Sequence, residues 1–253
     1  VTATIERGSA TAPVTPATPP PTPVRKPGKK PTSFLGSSNG KKVVMAVTGA
    51  IMVSFLVLHM LGNLKIFAGR ESFNEYAHWL RTLLEPFVPY RTVLTLLEIG
   101  LVAAVVLHMW AAISLARRAH KARPVKYVAK KSQATGYATH IMRWGGVTIV
   151  IFLVWHLLDL TFGVVNPKGF DSLPADRMIA GFDPTRWWVT LFYVVAVVMV
   201  GLHLRHGLWS MFQTLGWAAK RYQVLKPAAA LLSAVLVVGF LAPPLAIMIG
   251  IVK

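Results

Sequence analysis

Five stretches of this chain are so long and so apolar that they restrict it to one kind of solvent. They cover positions 43–61, 93–115, 141–162, 187–211 and 228–252, about 19–25 residues each. As helices rising ~1.5 Å per residue, they are long enough to cross a hydrocarbon core of ~30 Å. Lipid offers no partner for a bare backbone N–H or C=O, so each run must satisfy its own hydrogen bonds, and helix is the form that does so. The expected fold is an all-α membrane protein, a bundle of five transmembrane helices. Pro243 and Pro244 interrupt the fifth run, and a distortion is expected there.

Composition agrees. Hydrophobic residues make up 54% of the chain and charged ones 14%, which is too apolar for a soluble domain of this length. The first 40 residues stand apart, with eight of the 17 prolines and few bulky apolar side chains. They read as a disordered tail without the apolar core of a secretory signal peptide, leaving 41–253 as the membrane domain. With no cysteine, the chain itself offers no disulfide, thiolate zinc site or cysteine-ligated cluster, so any redox centre it holds must use other ligands.

A net charge of +18 invites a nucleic-acid reading, but the position of the charge argues against it. Arg117, Arg118, Lys121, Arg123, Lys126, Lys130, Lys131 and Arg143 fill the segment 117–143, which has no acid. Lys220, Arg221 and Lys226 do the same after the fourth run, whereas Glu71, Glu75, Glu85, Asp171, Asp176 and Asp183 all lie in the other two loops. By the positive-inside rule the N-terminus is cytoplasmic and the C-terminus outside. Within the first outer loop, Ser72-Phe73-Asn74-Glu75 has the form of a capping box, and Tyr76, Trp79, Leu80, Leu83, Leu84 and Phe87 follow at helical spacing. This predicts a short amphipathic helix over 72–84, lying at the outer interface.

One histidine falls in each of the first four runs: His59, His108, His156 and His203. Polar side chains are costly in a bilayer, and four together point to function. Their depths sort them. His59 lies 17 residues beyond Lys42 and His156 lies 16 beyond His140, both counted from the inner side. His108 lies 17 beyond Arg91 and His203 lies 17 beyond Arg186, both counted from the outer side. The four therefore form two level pairs, His59 with His156 near the outer face and His108 with His203 near the inner face. Two imidazoles at one depth on different helices can supply both axial ligands of a haem iron, whereas zinc would want more ligands per level. His206 competes with His203 but misses the depth match; His78, His120 and His140 sit near the surface. Two acids remain inside the runs, Glu98 and Asp159, both toward the outer side. With Asn74, His78 and Trp79 they are the candidates for a quinone site or proton path there; Asp159, three residues after His156, is expected to share its helix face.

Several stretches now resemble the di-haem cytochrome b558 anchor subunit of succinate dehydrogenases and related fumarate reductases. They are Phe55-Leu56-Val57-Leu58-His59, Phe73-Asn74-Glu75-Tyr76-Ala77-His78, Leu107-His108, Phe152-Leu153-Val154-Trp155-His156, and His203-Leu204-Arg205-His206-Gly207-Leu208-Trp209-Ser210. The resemblance spans 41–252 and rests on the order and spacing of these pieces. It implies two b haems in a four-helix core and a bacterial plasma-membrane location. It also implies a flavoprotein and an iron–sulfur subunit docked on the cytoplasmic side, with electrons from succinate passing through the haems to a quinone, usually menaquinone. The succinate-oxidising site would lie on the partner, and the complex could form homo-oligomers. The ligand four residues before Gly207 is His203, as depth also indicates. Some fumarate-reducing members carry a glutamate two residues before this ligand; here Gly201 stands there. The fifth run and the His-to-Gly spacing disfavour the di-haem anchors of formate dehydrogenases and hydrogenases. A haem-free transporter is disfavoured by the level histidine pairs and by the lack of an internal repeat.

Overall fold

The computed structural model describes residues 33–122, 135–218 and 221–253. Residues 1–32 of the expected tail, the basic residues Arg123, Lys126, Lys130 and Lys131, Lys220 and the side chain of His140 lie outside the described residues. The helices are α1 Ser38–Leu64, α2 Arg70–Arg81, α3 Thr92–Lys121, α4 Thr135–His156, α5 Pro174–Gly181, α6 Trp187–Thr214 and α7 Tyr222–Met248, and no strand occurs among the described residues. Five segments are long and apolar enough to cross a membrane: Ser38–Ala68, Thr92–Lys121, Met142–Thr161, Pro184–Thr214 and Tyr222–Met248. Each coincides with one of the apolar runs, so the chain is an all-α, multi-pass membrane protein.

Most of the spans overshoot their apolar runs. At the start of α1 the Ser37 hydroxyl accepts from the Gly40 amide at 2.8 Å, a side-chain cap that lets the helix begin five residues before the run. Arg118, in the last turn of α3, donates to Ser38 Oγ and to the Gly36 carbonyl, tying that end of α3 to the start of α1. This end, rich in Arg and Lys, is called the basic end below. The opposite end carries α2 and α5 and is called the cap end. There Arg70 bridges α2 to Asp176 on α5 at 3.0 Å and to the Lys253 carbonyl. Pro243 and Pro244 are buried inside α7, and the helix runs on through them to Met248.

Close backbone packing joins α1 to α3, α4 to α6, α6 to α7, and α1 to both α6 and α7. Missing side chains allow two of these approaches. A Cβ on Gly239 of α7 would stand 2.2 Å from Met60 Sδ of α1, and one on Gly201 of α6 would stand 2.3 Å from Val237 Cγ2 of α7. Valine has no flexible end to swing aside. Any side chain at position 201, an acid included, would push into Val237, so the glycine there is tied to the α6–α7 contact. Gly201→Ala is expected to cost about 1–3 kcal/mol by overpacking, and Val237→Ala in the same chain should recover most of the loss. Thermal unfolding in detergent reads both; a Gly201→Ala protein as stable as the parent would contradict the packing argument.

The interfacial helix differs in its ends from the expected 72–84. It begins at Arg70, directly after a 3-10 turn over Lys65–Ala68, and stops at Arg81. Gly69, with φ of 107°, turns the chain sharply where a larger residue would be strained, so the helix starts before Ser72 and no capping box forms. At the other end Leu84 takes a φ of 66°, which places Leu84 and Phe87 outside the helix, 62% and 89% exposed. Of the predicted helix only Phe73 is buried, packed with Ile66, Ala175 and Tyr193.

Candidate cofactor-binding site

The four histidines pair in space as their depths imply. His59 of α1 faces His156 of α4 with ring centres 5.8 Å apart, and His108 of α3 faces His203 of α6 at 6.5 Å. It is His203, not His206, whose ring meets His108. An iron held by two imidazole nitrogens at ~2 Å each sets the ring centres roughly 6 Å apart, so both spacings suit a bis-imidazole metal. Neither α1 and α4 nor α3 and α6 are among the closely packed helix pairs. All four rings are only partly covered by protein, deep in a bundle where packed side chains would normally enclose them.

The hydrogen bonds of these rings leave nitrogens free. Thr48 Oγ1 already donates to the Val44 carbonyl at 2.7 Å. His108 Nδ1, 3.1 Å from the Met45 carbonyl and 3.2 Å from Thr48 Oγ1, therefore carries the proton, and its Nε2 keeps the lone pair a metal needs. His156 Nδ1 is engaged by Tyr193 Oη at 3.3 Å, again leaving Nε2. Tyr193 is fixed by edge-to-face contacts with Phe152 and Phe182 at 5.0 and 4.8 Å. His59 stacks on Phe55 at 5.1 Å and makes no hydrogen bond among the described residues. His203 Nδ1 is buried with no partner among the described residues. Among the described residues no cluster of three or more His, Asp or Glu side chains could hold a bare metal ion. Two-ligand sites suit a group that brings its remaining donors with it, as haem does. The residues present therefore fit two haems.

The quinone and proton candidates separate. Asn74 and His78 line one cavity at the cap end, of about 310 Å³. Asn74 Oδ1 is occupied there as an acceptor from the Ala175 amide at 3.0 Å. Trp79 is 55% exposed and stacks on Tyr76. Glu98 forms an exposed ion pair with Arg91 at 3.1 Å. Asp159 is fully buried in a π-turn over Leu157–Thr161 that directly follows His156. Its Oδ1 accepts from Arg186 at 3.3 Å and from Asn166 at 3.1 Å; none of its hydrogen bonds reaches His156. The wider turn changes the rotation per residue, so the three-residue offset does not put Asp159 where a regular helix would. Sequence reasoning did not pick out Arg81, Arg177 and Tyr90, which line the same cavity as His78. Neither Arg81 nor Arg177 has a carboxylate partner among the described residues, a property that no pattern in the chain carries.

Fold and site together define a multi-pass helical membrane protein with two histidine pairs, each formed between different helices. Neither a family model, nor a curated protein, nor a solved structure matches the chain.

Proposed function

We propose that this chain is the di-haem cytochrome b membrane subunit of a succinate:quinone oxidoreductase in a bacterial plasma membrane. The observation that carries the reading is the pair of level histidine contacts, 5.8 and 6.5 Å, each between helices that are not closely packed. His59 and His156 would hold one haem and His108 and His203 the other. When bound, the two haems supply one-electron carriers at two depths of the bilayer. The protein's own part is orientation. Met45 and Thr48 set the tautomer of His108, Tyr193 anchors His156, and Phe55 and Phe240 flank His59.

The basic end, with Arg117, Arg118 and Lys121 on α3, is taken as the cytoplasmic side, where a flavoprotein and an iron–sulfur subunit would dock. A menaquinone-type acceptor then belongs at the cap end, outside. The exposed indole of Trp79 offers it a stacking surface and His78 a proton. Electrons entering from one side and protons from the other would move charge across the membrane, worth ~2.3 kcal/mol per charge per 100 mV.

Affinity purification of the full chain from its native membrane tests the reading. A flavin-bearing partner with succinate dehydrogenase activity should accompany it and be released more readily by salt after Arg117→Glu and Lys121→Glu. Co-purification with a formate-oxidising or hydrogen-oxidising partner would replace the reading with another di-haem anchor. A preparation that retains its partners but shows no haem would overturn both.

A further inference from the structure

The cap-end cavity that His78 lines also carries side chains to which the proposed electron transfer gives no role. Arg81 of α2 and Arg177 of α5 line it from two sides, together with Tyr90 and Ser172, and no Asp or Glu does. Arg91, also at its wall, is already paired with Glu98. Neither Arg81 nor Arg177 has a carboxylate partner among the described residues. Arg177 is the telling one. It is only 7% exposed, its Nη1 donates to the Phe170 carbonyl at 2.9 Å, and its Nε is buried with no partner among the described residues. An unpaired buried guanidinium beside a second one is costly unless an anion joins them. Burial, and then the like charge of Arg81, pull the Arg177 pKa below its ordinary value.

We propose that this cavity binds a phosphate oxyanion, held between Arg81 and Arg177 with Tyr90 as a further donor; the Ser172 hydroxyl is already given to the Gly169 carbonyl. Guanidinium groups suit such oxygens because their planar forks give short, charge-assisted hydrogen bonds. At about 310 Å³ the space far exceeds the ~30 Å³ share of one water, so it admits a substituted phosphate and not just a bare ion. Its level favours a lipid. Thr161 in its wall closes one span and Arg91 immediately precedes another, so the cavity lies where the headgroups of the bilayer lie. The same chemistry would take dissolved phosphate. The site stands whether or not haem is bound.

The test uses the full chain, reconstituted in phosphatidylcholine vesicles with or without phosphatidylglycerol, then washed in detergent and weighed by native mass spectrometry. The expected result is one retained phosphatidylglycerol per chain. Arg81→Gln and Arg177→Gln should each lower retention by about tenfold, while Arg117→Gln at the other end leaves it unchanged. Arg177 also holds the Phe170 carbonyl, so Arg81→Gln, on a partly exposed side chain, decides the matter if Arg177→Gln fails to fold. In the vesicles without phosphatidylglycerol, phosphorus NMR with inorganic phosphate reads the dissolved source; arginine-dependent binding there without lipid retention assigns the site to free phosphate. Retention unaffected by Arg81→Gln, or no binding of either probe, overturns the proposal. So does release of the lipid by a soluble naphthoquinone with both arginines intact, which would give the cavity to the quinone.

Discussion

Alanine at His59 or at His156 is expected to halve the haem content of the purified protein, from about two per chain to about one. Each contributes one of the two imidazoles at the same level, 5.8 Å apart, and one axial ligand alone does not hold a b haem at full occupancy. The sharper reading is identity, not amount. In a redox titration of the reduced-minus-oxidised spectrum, His59→Ala and His156→Ala should lose the same wave. His108→Ala and His203→Ala should lose the other, because their rings meet each other at 6.5 Å and neither meets the first pair. His206→Ala should keep both waves. Loss of different waves by His59→Ala and His156→Ala would break the pairing even if the total haem count came out right. A weaker effect is expected at Tyr193→Phe. It removes the 3.3 Å contact to His156 Nδ1, and should shift the midpoint potential of the first wave without removing it.

The second large effect concerns stability. Asp159 is fully buried and its partner Arg186 is 13% exposed, so the pair has little water to fall back on. Asp159→Ala leaves a guanidinium facing the Gly181 and Val165 carbonyls with no counter-charge, and also strips the Asn166 amide of an acceptor. Breaking a buried pair from one side costs about 3–5 kcal/mol. The same order is expected for Arg186→Ala, which strands the carboxylate. The double replacement should cost clearly less than the sum, since neither charge is then left alone. Unfolding of the four proteins in mixed micelles closes the cycle. Additive losses within about 0.5 kcal/mol would mean that the two side chains do not act on each other. This cluster ties the π-turn of α4 to the loop before α5 and to the start of α6, so its loss should loosen the cap end first.

What the sequence determined by itself is the part governed by the solvent. Runs of about 19–25 apolar residues must span lipid as helices, whatever surrounds them, and the five spans lie where those runs lie. Histidine depth is also a one-dimensional quantity, because a helix converts residue count into height at a fixed rise. That is why His59 could be matched to His156 and His108 to His203 before any contact was known. Direction around a helix and position off it are another matter. Asp159 was expected on the His156 face from a three-residue offset, but that offset could not name its partners, Asn166 and, 27 residues further on, Arg186. Ser72 looked like a cap until the positive φ of Gly69 let α2 begin earlier. Arg81 and Arg177 are 96 positions apart and share no pattern in the chain; only the packing of α2 on α5 brings them to one cavity. Local rise and hydropathy are properties of a segment, readable one residue at a time. Which side chains share a space depends on how several segments pack, and that is decided by the whole fold.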